Sequence, residues 1–216
     1  MSAAGGDLRE RALAALHGLA IGDALGMPTQ LMSRVAIAER FGVIDGFRAA
    51  APDHPIAASM PAGSITDDTE QALLLAHTLI DGGGDIEPAD FARRLAAWED
   101  GMRARGSLDL LGPSTRAAVA AVLAGTAPEE AGRTGTTNGA AMRVTPVGIA
   151  WPSSDLPALV AAVRSASRVS HDTGIAIAGA SAVAAAVSAG LDGAELDDAI
   201  DVAIDAARRG AALGTW

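Results

Sequence analysis

Four oxygen-bearing side chains occur together in the stretch ITDDTEQALLLAHTL, at residues 65–79. Thr66, Asp67 and Asp68 precede an apolar segment, so we place them at the first turn of a helix that Gly82 ends. A threonine hydroxyl and two adjacent carboxylates form an all-oxygen ligand set that suits Mg²⁺ or Mn²⁺. The same residues are equally typical of a plain capped helix, because Thr66 is a good N-cap and acids stabilise the positive helix end.

A glycine- and threonine-rich loop, GTTNGAAMRVTPVG at 135–148, is the second candidate for chemistry. We expect Asn138 to cap the helix that follows, and the backbone amides at this junction would suit anionic oxygens. Arg143 would add a cation about one turn further on. The loop could therefore bind a phosphate or diphosphate, although a plain capped turn is the more frequent structure for this pattern.

A third candidate is His171, within the segment SHDT that precedes an alanine-rich run. It could be a substrate contact, a metal ligand or a neighbour of a helix cap. Asp23 lies on a helix that carries glycines at 18, 22 and 26, a spacing that predicts close approach of another backbone or a ligand. We interpret Asp23 as a buried acid bonded to neighbouring backbone in preference to a ligand.

The elements that position these residues are helices, because no β-branched run alternates long enough to require a sheet. We predict an all-α class. The first helix runs over 7–26 with Asp7 as N-cap, and a long loop covers 42–64. In the helix after Asp68, an apolar stripe that includes Leu73 and Ile80 would face the core. Six further helices are expected near 33–41, 85–105, 114–124, 154–169, 173–191 and 194–216.

Composition excludes several classes of chemistry. The 216 residues carry a net charge of -10, which argues against nucleic acid and anionic membranes as partners. There is no lysine, which excludes Schiff-base catalysis and a Walker-type phosphate loop. There is no cysteine, which excludes a thiol nucleophile and disulfides. The N-terminus has no apolar signal region, and a cytoplasmic setting is the default expectation. The uncharged run at 173–191 is interpreted as a buried helix and not as a membrane span.

Four stretches of the sequence, taken in order, carry a family pattern. They are GLAIGDALGMPTQ at 18–30, PAGSITDDTEQALL at 61–74, TTNGAAMRVTPVGI at 136–149 and SHDTGIAIAGASAV at 170–183. Together they resemble the ADP-ribosylglycohydrolase family, which includes the dinitrogenase-reductase-activating glycohydrolases. The resemblance covers nearly the whole chain from Arg9 onward. It implies one all-α domain over 1–216, built as an orthogonal multi-helix bundle around a binuclear Mg²⁺ or Mn²⁺ centre.

The resemblance also implies an activity and a set of site residues. The expected reaction is hydrolysis of the N- or O-glycosidic bond that joins ADP-ribose to a protein side chain or small acceptor. Thr66, Asp67 and Asp68 would bind the metal, and Asp67 or Asp68 would activate water, with Asp67 the preferred base. The residues expected to bind the ADP-ribose moiety are Gln30, Gly135, Thr136, Thr137, Asn138, Gly139 and His171.

Two departures from the family pattern matter. Gln30 stands where many relatives have a glutamate, and an amide cannot take a proton. The family's second acidic motif, Asp-x-Asp-Thr, does not occur before Trp216, and the pair Asp197 and Asp198 is no substitute because no threonine follows. The chain is then a fragment, has lost the binuclear site, or receives the missing acids from a partner. We expect a fragment, because the last helix would stop at Trp216 without a cap.

Three rival interpretations remain open. The chain could be a non-catalytic ADP-ribose-binding or crystallin-like member of the same fold, since fold alone does not fix function. It could hydrolyse another N-ribosyl compound at the same centre. An unrelated α-helical scaffold would show no response to Mg²⁺ or ADP-ribose.

Overall fold

The computed structural model describes residues 3–107 and 109–214 of the chain. Every regular element within those residues is a helix, so the predicted all-α class is confirmed. Three short 3-10 helices, at Met27–Thr29, Gly132–Thr134 and Ser153–Asp155, link longer ones. The α-helices of the described part are α1 (Ala3–Gly26), α2 (Arg34–Phe41), α3 (Asp67–Asp81), α4 (Pro88–Ala104), α5 (Pro113–Leu123), α6 (Pro128–Ala131), α7 (Thr145–Ala150), α8 (Leu156–Ser167), α9 (Gly174–Leu191) and α10 (Leu196–Leu213).

Side-chain caps explain why five of the described helices begin where they do, with Glu87 capping α4. Ser33 Oγ accepts from the backbone N–H of Ala36 at the start of α2. Thr66, Asp155 and Thr173 cap α3, α8 and α9 through their side-chain oxygens in the same way. Such caps stabilise a helix by about 1 kcal/mol each. The predictions of a helix start at Ser33 and at Thr66 are confirmed, and the start predicted near 154 falls at Asp155.

Two predicted helix features are wrong. The first helix begins at Ala3, and Asp7 lies inside it, where its carboxylate accepts from Arg11 Nε at 3.0 Å across one turn. In α3 the predicted apolar stripe is rotated, because Leu73 is 42% exposed and Ile80 is 74% exposed. Ala72, Leu75 and Leu79 form the buried face instead. The polar first turn gave no guide to which face packs.

The core lies around α9, which packs against α1, α7, α8 and α10. Its many alanines let these helices approach closely, and larger apolar side chains fill the rest of the core, including Phe91, Leu95, Leu159 and Val163. By length and composition alone, α9 would be long and apolar enough to cross a membrane, and it is the only such helix in the described part of the chain. In this structure 56% of that segment is buried against neighbouring helices, as expected for a core helix.

The long loop at 42–64 contains no helix or strand, as predicted. It folds over a small apolar cluster formed by Met27, Ala50 and Ala57, with Met60 packed against it. The buried ring of His54 organises the loop, because its Nδ1 accepts from the backbone N–H of Ala57 at 2.9 Å. The loop therefore has a fixed path next to the start of α3.

The last described helix ends differently from the expectation. It stops at Leu213, and the backbone N–H of Gly214 donates to the carbonyl of Gly210. The predicted helix end therefore falls at Leu213, and the uncapped end predicted at Trp216 lies outside the described residues.

Candidate active site

Asp23 of α1 fastens the N-terminus of α3. Its Oδ2 accepts from the backbone N–H of Thr66 at 2.8 Å and from Thr69 Oγ1 at 2.6 Å. Its Oδ1 accepts from Thr66 Oγ1 at 2.7 Å. Asp23 is hydrogen-bonded, as predicted, but it is half-buried instead of buried, it lines a cavity, and two of its partners are side-chain hydroxyls instead of backbone. These contacts fix the direction in which the next two acids of α3 point.

Asp67 and Asp68 stand in the first turn of α3 and share their surroundings with a third acid, Asp109. Burial, followed by the charges of Asp109 and Asp68, raises the pKa of Asp67 to about 8. Burial and the charge of Asp23 raise the pKa of Asp68. Burial, with the charges of Asp23 and Asp68 adding to it, raises the pKa of Asp109 to about 6. The three acids therefore lack enough nearby positive charge to balance them.

Asp109 was missed by the sequence analysis, which found only a loop between α4 and α5. It is 4% exposed, and its Oδ2 is buried without a hydrogen-bond partner among the described residues. The one signal that could have found it is an acid between leucines in the loop SLDLLGP, since a buried acid needs a reason.

A buried network connects Asp67 to the loop at 135–144. Gln71 Nε2 donates to Asp67 Oδ2 at 3.1 Å, and Arg143 Nη1 donates to Gln71 Oε1 at 3.3 Å. Arg143 is 1% exposed, and its guanidinium lies 5.3 Å from the ring centre of Phe91, where cation–π attraction helps to hold it. Burial lowers the pKa of Arg143 to about 10. The expectation that Arg143 offers a cation to a ligand in the loop is therefore wrong.

The loop at 135–144 packs tightly on the segment that precedes α9. A Cβ at Gly135 would collide with the carbonyl oxygen of Ser170, and a Cβ at Gly139 would lie 2.7 Å from His171 Cε1. Glycine is therefore required at both positions. Asn138 does not cap the following helix, which was the prediction, because α7 begins only at Thr145 and Val144 occupies its N-cap position. The carbonyl of Asn138 instead accepts from the backbone N–H of Met142.

Two adjoining cavities meet at this loop. The first, which we call the acidic cavity, has a volume of about 480 Å³. Its polar lining consists of Gln30, Asp67, Asp68, Asp109, Thr115, Arg116, Thr137 and Asn138. The second, the glycine cavity, has a volume of about 410 Å³ and is lined by Gly22, Asp23, Gly26, Gln30, Thr66, Asp68 and Asn138, among others. Gln30, Asp68, Asn138 and Met142 line both, so the two cavities share a wall.

The structure brings together most of the residues that the resemblance implied. Thr66, Asp67, Asp68, Gln30, Thr137, Asn138 and Gly139 all line one or both cavities. Gly135, Thr136 and His171 line neither. His171 is fully buried behind Thr137 and Gly139, so it supports the loop and does not face the cavity.

The glycine spacing on α1 predicted close approach of another backbone or of a ligand. No heavy atom lies within 4 Å of a Cβ built at Gly18, Gly22 or Gly26, so close approach of another backbone is excluded among the described residues. Gly22 and Gly26 line the glycine cavity, and a ligand next to them stays a prediction.

His54 positions Gln30. Because His54 Nδ1 accepts from the backbone N–H of Ala57, its Nε2 carries the proton and donates to the carbonyl of Gln30 at 3.1 Å. The sequence analysis placed His54 in the long loop without a role. The contact holds Gln30 at the boundary of both cavities.

The side chains present fit part of a coordination shell for a hard divalent cation. Thr66, Asp67 and Asp68 offer oxygen donors, and the unpartnered Oδ2 of Asp109 points to a missing positive charge. However, no three His, Cys, Asp or Glu side chains converge closely enough to hold a metal within residues 3–107 and 109–214. The described residues would therefore supply a cation with an incomplete set of ligands.

Residues 4–215 match the model of a family described as ADP-ribosylglycohydrolase. Among curated proteins, the chain is 36% identical over 192 residues to the uncharacterized protein YegU of Escherichia coli, which covers 89% of this chain and 57% of that protein. It is 33% identical over 149 residues to the ADP-ribosyl-[dinitrogen reductase] glycohydrolase of Rhodospirillum rubrum, covering 68% of this chain and 46% of that one. The chain thus spans about half the length of the curated relatives it matches.

A solved structure described as an ADP-ribosylglycohydrolase-related protein complex superimposes with a TM-score of 0.70. Sequence identity in that comparison is 28%, and it covers 91% of this chain and 62% of the other. The helical arrangement described above is therefore shared with that structure.

Proposed function

Since the chain belongs to the ADP-ribosylglycohydrolase family, we propose that it carries part of a site that hydrolyses the glycosidic bond between ADP-ribose and its acceptor. The acceptor would be a protein side chain or a small molecule joined through nitrogen or oxygen. The observation that supports this proposal is that one cavity is lined jointly by three acids, the half-buried Asp67 and Asp68 and the buried Asp109, and by the loop residues Thr137 and Asn138. A cavity of about 480 Å³ is within the range typical of small-molecule sites.

Thr66, Asp67 and Asp68 are the residues that would hold Mg²⁺ or Mn²⁺, with Asp109 close enough to add negative charge. A bound divalent cation would supply charge stabilisation and a fixed grip on the vicinal ribose hydroxyls. Asp67 in its ionised form would take a proton from the water that attacks ribose C1, through an oxocarbenium-like transition state. Gln30 can orient a water or a hydroxyl, but it cannot exchange a proton.

The test is the double variant Asp67→Asn with Asp68→Asn in the full-length protein. We expect Mg²⁺-dependent release of ADP-ribose to be abolished while helix content stays unchanged, because both amides keep their size but lose the charge that binds a cation. The matched control is Asp197→Asn with Asp198→Asn, which removes two exposed acids from the first turn of α10. The control should keep its turnover; turnover that persists in the first variant as well would show that the metal assignment is wrong.

A second candidate function is binding of ADP-ribose without turnover, as in a crystallin-like member of the fold. Gln30 and the incomplete ligand set favour it. It predicts that full-length protein binds ADP-ribose but releases none from ADP-ribosylated protein or from small ADP-ribosyl compounds. Hydrolysis of a different N-ribosyl compound would instead show turnover with that compound and none with ADP-ribosyl substrates.

A further inference from the structure

Asp67 is hydrogen-bonded to Gln71, which lies one turn further along α3. Gln71 Nε2 donates to Asp67 Oδ2 at 3.1 Å. A Gln and Asp pair of this spacing on a helix surface is common and stabilises the helix by about 0.2–0.5 kcal/mol. Here, however, Gln71 is completely buried, while Asp67 lines the acidic cavity. The pair therefore connects the interior of the protein to the wall of the cavity.

Arg143 determines which way the amide of Gln71 points. Arg143 Nη1 donates to Gln71 Oε1 at 3.3 Å. A guanidinium carries donors only, so the amide must face it with its carbonyl oxygen. The amide nitrogen then lies toward Asp67, whose ionised carboxylate can only accept. The hydrogen-bonding chemistry of both neighbours therefore permits a single orientation of the Gln71 side chain.

Arg143 is itself held in place by two further contacts. Its Nη2 donates to Ser170 Oγ at 2.6 Å, and its guanidinium lies 5.3 Å from the ring centre of Phe91. Burial lowers the pKa of Arg143, but the value of about 10 keeps the guanidinium charged near pH 7. A side chain that is 1% exposed and bonded in this way has little freedom to turn. Gln71 therefore has a fixed partner on its inner side.

The carboxylate of Asp67 needs a donor to hold its direction. The terminal torsion of an aspartate is broad, so the side chain alone does not fix where its two oxygens point. The charges of Asp109 and Asp68 also act on Asp67, and like charges repel. The bond from Gln71 engages Oδ2. The other oxygen, Oδ1, is then the one that remains for a ligand.

We propose that Gln71 is a positioning residue of the active site, which fixes the carboxylate of Asp67 through Oδ2 and so presents Oδ1 to a divalent cation. This role rests on the function proposed above, in which Asp67 holds the cation. Gln71 lines neither cavity, so it acts on a ligand only through Asp67. Loss of a residue that supports a metal ligand in this way typically weakens metal binding by about 10- to 100-fold.

The alternative role for Gln71 is only to pair the buried Arg143. In the part of the chain that the structure describes, Gln71 and Ser170 are the two side chains that accept hydrogen bonds from Arg143. If Gln71 serves Arg143 alone, its loss should affect cation binding no more than the loss of the Ser170 hydroxyl does. If Gln71 positions Asp67, its loss should weaken cation binding and that of the Ser170 hydroxyl should not.

The first experiment measures the dissociation constant of Mn²⁺ in the full-length protein, from the electron paramagnetic resonance signal of the free ion. Gln71→Met keeps the length of the side chain and removes the donor, so we expect Mn²⁺ to bind about 10-fold more weakly. Ser170→Ala is the matched control, and its dissociation constant should stay close to that of the wild type. Equal weakening in both variants, or wild-type affinity in Gln71→Met, would overturn the proposal.

The second experiment uses the wild type and so does not depend on the folding of Gln71→Met. The 216-residue chain contains three side chains with an amide group, those of Gln30, Gln71 and Asn138, so few NH₂ signals need to be assigned by ¹⁵N–¹H NMR. We expect Mg²⁺ to shift the Gln71 signal, because the cation draws charge from the carboxylate that accepts its hydrogen bond. The shift should be absent in Asp67→Asn. A wild-type Gln71 signal that does not respond to Mg²⁺ would contradict the proposed role.

Measurements of turnover separate this proposal from the proposed function. Mn²⁺ binding that depends on Gln71, with no release of ADP-ribose, would support the positioning role while refuting the hydrolase. Release of ADP-ribose by the wild type, together with unchanged Mn²⁺ affinity in Gln71→Met, would refute the positioning role and leave the function standing. A wild type that binds no Mn²⁺ would overturn the metal assignment and the role of Gln71 with it.

Discussion

At this site the protonation state of a single acid depends on its surroundings more than on its residue type. Asp67 and Asp68 follow one another in the chain, and Asp109 comes from a different loop, yet their charges act on a common space. Without a cation, burial and mutual repulsion favour the protonated forms. A divalent ion would reverse this preference by favouring the carboxylates. The same acids that destabilise the bare protein are therefore the ones that a cation would stabilise.

His171 provides a test at the residue scale through the pH dependence of folding. Its pKa is lowered from 6.5 to about 3 in the folded protein, first by burial and then by the charge of Arg143. Below pH 6.5 the unfolded chain therefore binds a proton that the folded chain does not. The contribution of His171 to stability is fully present above pH 6.5 and is lost as the pH falls toward 3. Each unit of pH within this window changes the free energy of unfolding by up to about 1.4 kcal/mol.

The measurement is urea unfolding of wild type and His171→Gln across this pH range. The stability difference between the two proteins should be constant above about pH 6.5, the ordinary histidine value, and should move against the wild type as the solution becomes more acidic. Asp67 titrates in the opposite sense, because its raised pKa favours the folded state as the pH falls from about 8. It is present in both proteins and cancels in the difference. A pH-independent difference would mean that His171 is not held neutral by burial.

At the scale of elements, the packing of the loop at 135–144 on the segment before α9 is what gives the site its shape. Gly139→Ala would place a methyl group 2.7 Å from His171 Cε1 and 3.2 Å from Thr115 Oγ1. The His171 ring has no free space to move into, since it is fully buried. Overpacking of this kind typically destabilises a protein by about 1–3 kcal/mol. We expect the same change to weaken ADP-ribose binding, because Thr137 and Asn138 would shift with the loop.

The matched control is Gly18→Ala, since Gly18 lies in α1 with no heavy atom within 4 Å of the added methyl group. It should stabilise the protein by about 0.5–1 kcal/mol, the usual gain from alanine over glycine in a helix. Both variants are compared by chemical denaturation. If Gly139→Ala were as stable as the wild type, the contact between the loop and His171 would be looser than described here.

For the helices, the sequence predicted where several of them begin but not which face of α3 is buried. The starts of α2, α3 and α8 were predicted because Ser33, Thr66 and Asp155 signal a cap within a few residues. The buried face of α3 was not, because both sides of that helix carry apolar residues and only tertiary packing selects one. Asn138 failed as a cap since the chain makes further turns before α7 begins at Thr145.

Across the whole molecule, the residues missed from sequence are those whose partners are distant in the chain. Gln71 meets Arg143 across 72 positions, and Arg143 meets Ser170 across 27. No local pattern encodes such contacts. Asp109 was missed for the same reason, because its importance comes from its closeness to Asp67. The family pattern identified several of the residues that line the cavity, among them Asp67, Asp68 and Asn138, while Asp109 and the buried network required the structure.

The number of ligating side chains in the described part of the chain also limits how strongly it can bind a cation. The chain spans 57% of YegU and 46% of the Rhodospirillum rubrum glycohydrolase, and its described residues provide no convergent group of three ligating side chains. The resemblance implies a second acidic motif, of Asp-x-Asp-Thr type, in the complete site. The oxygens of Thr66, Asp67 and Asp68 alone would leave much of the coordination shell to water.

We therefore expect weak binding of Mg²⁺ to the 216-residue chain, measured as the increase in the free energy of unfolding with added MgCl₂. A ligand present at its own dissociation constant stabilises by about 0.4 kcal/mol, and one present at 100 times that constant by about 2.7 kcal/mol. At millimolar Mg²⁺ the increase should lie near the lower figure, and it should vanish in Asp67→Asn with Asp68→Asn. An increase near the higher figure would mean that this chain completes the site with ligands of its own, and the incomplete shell described here would be wrong.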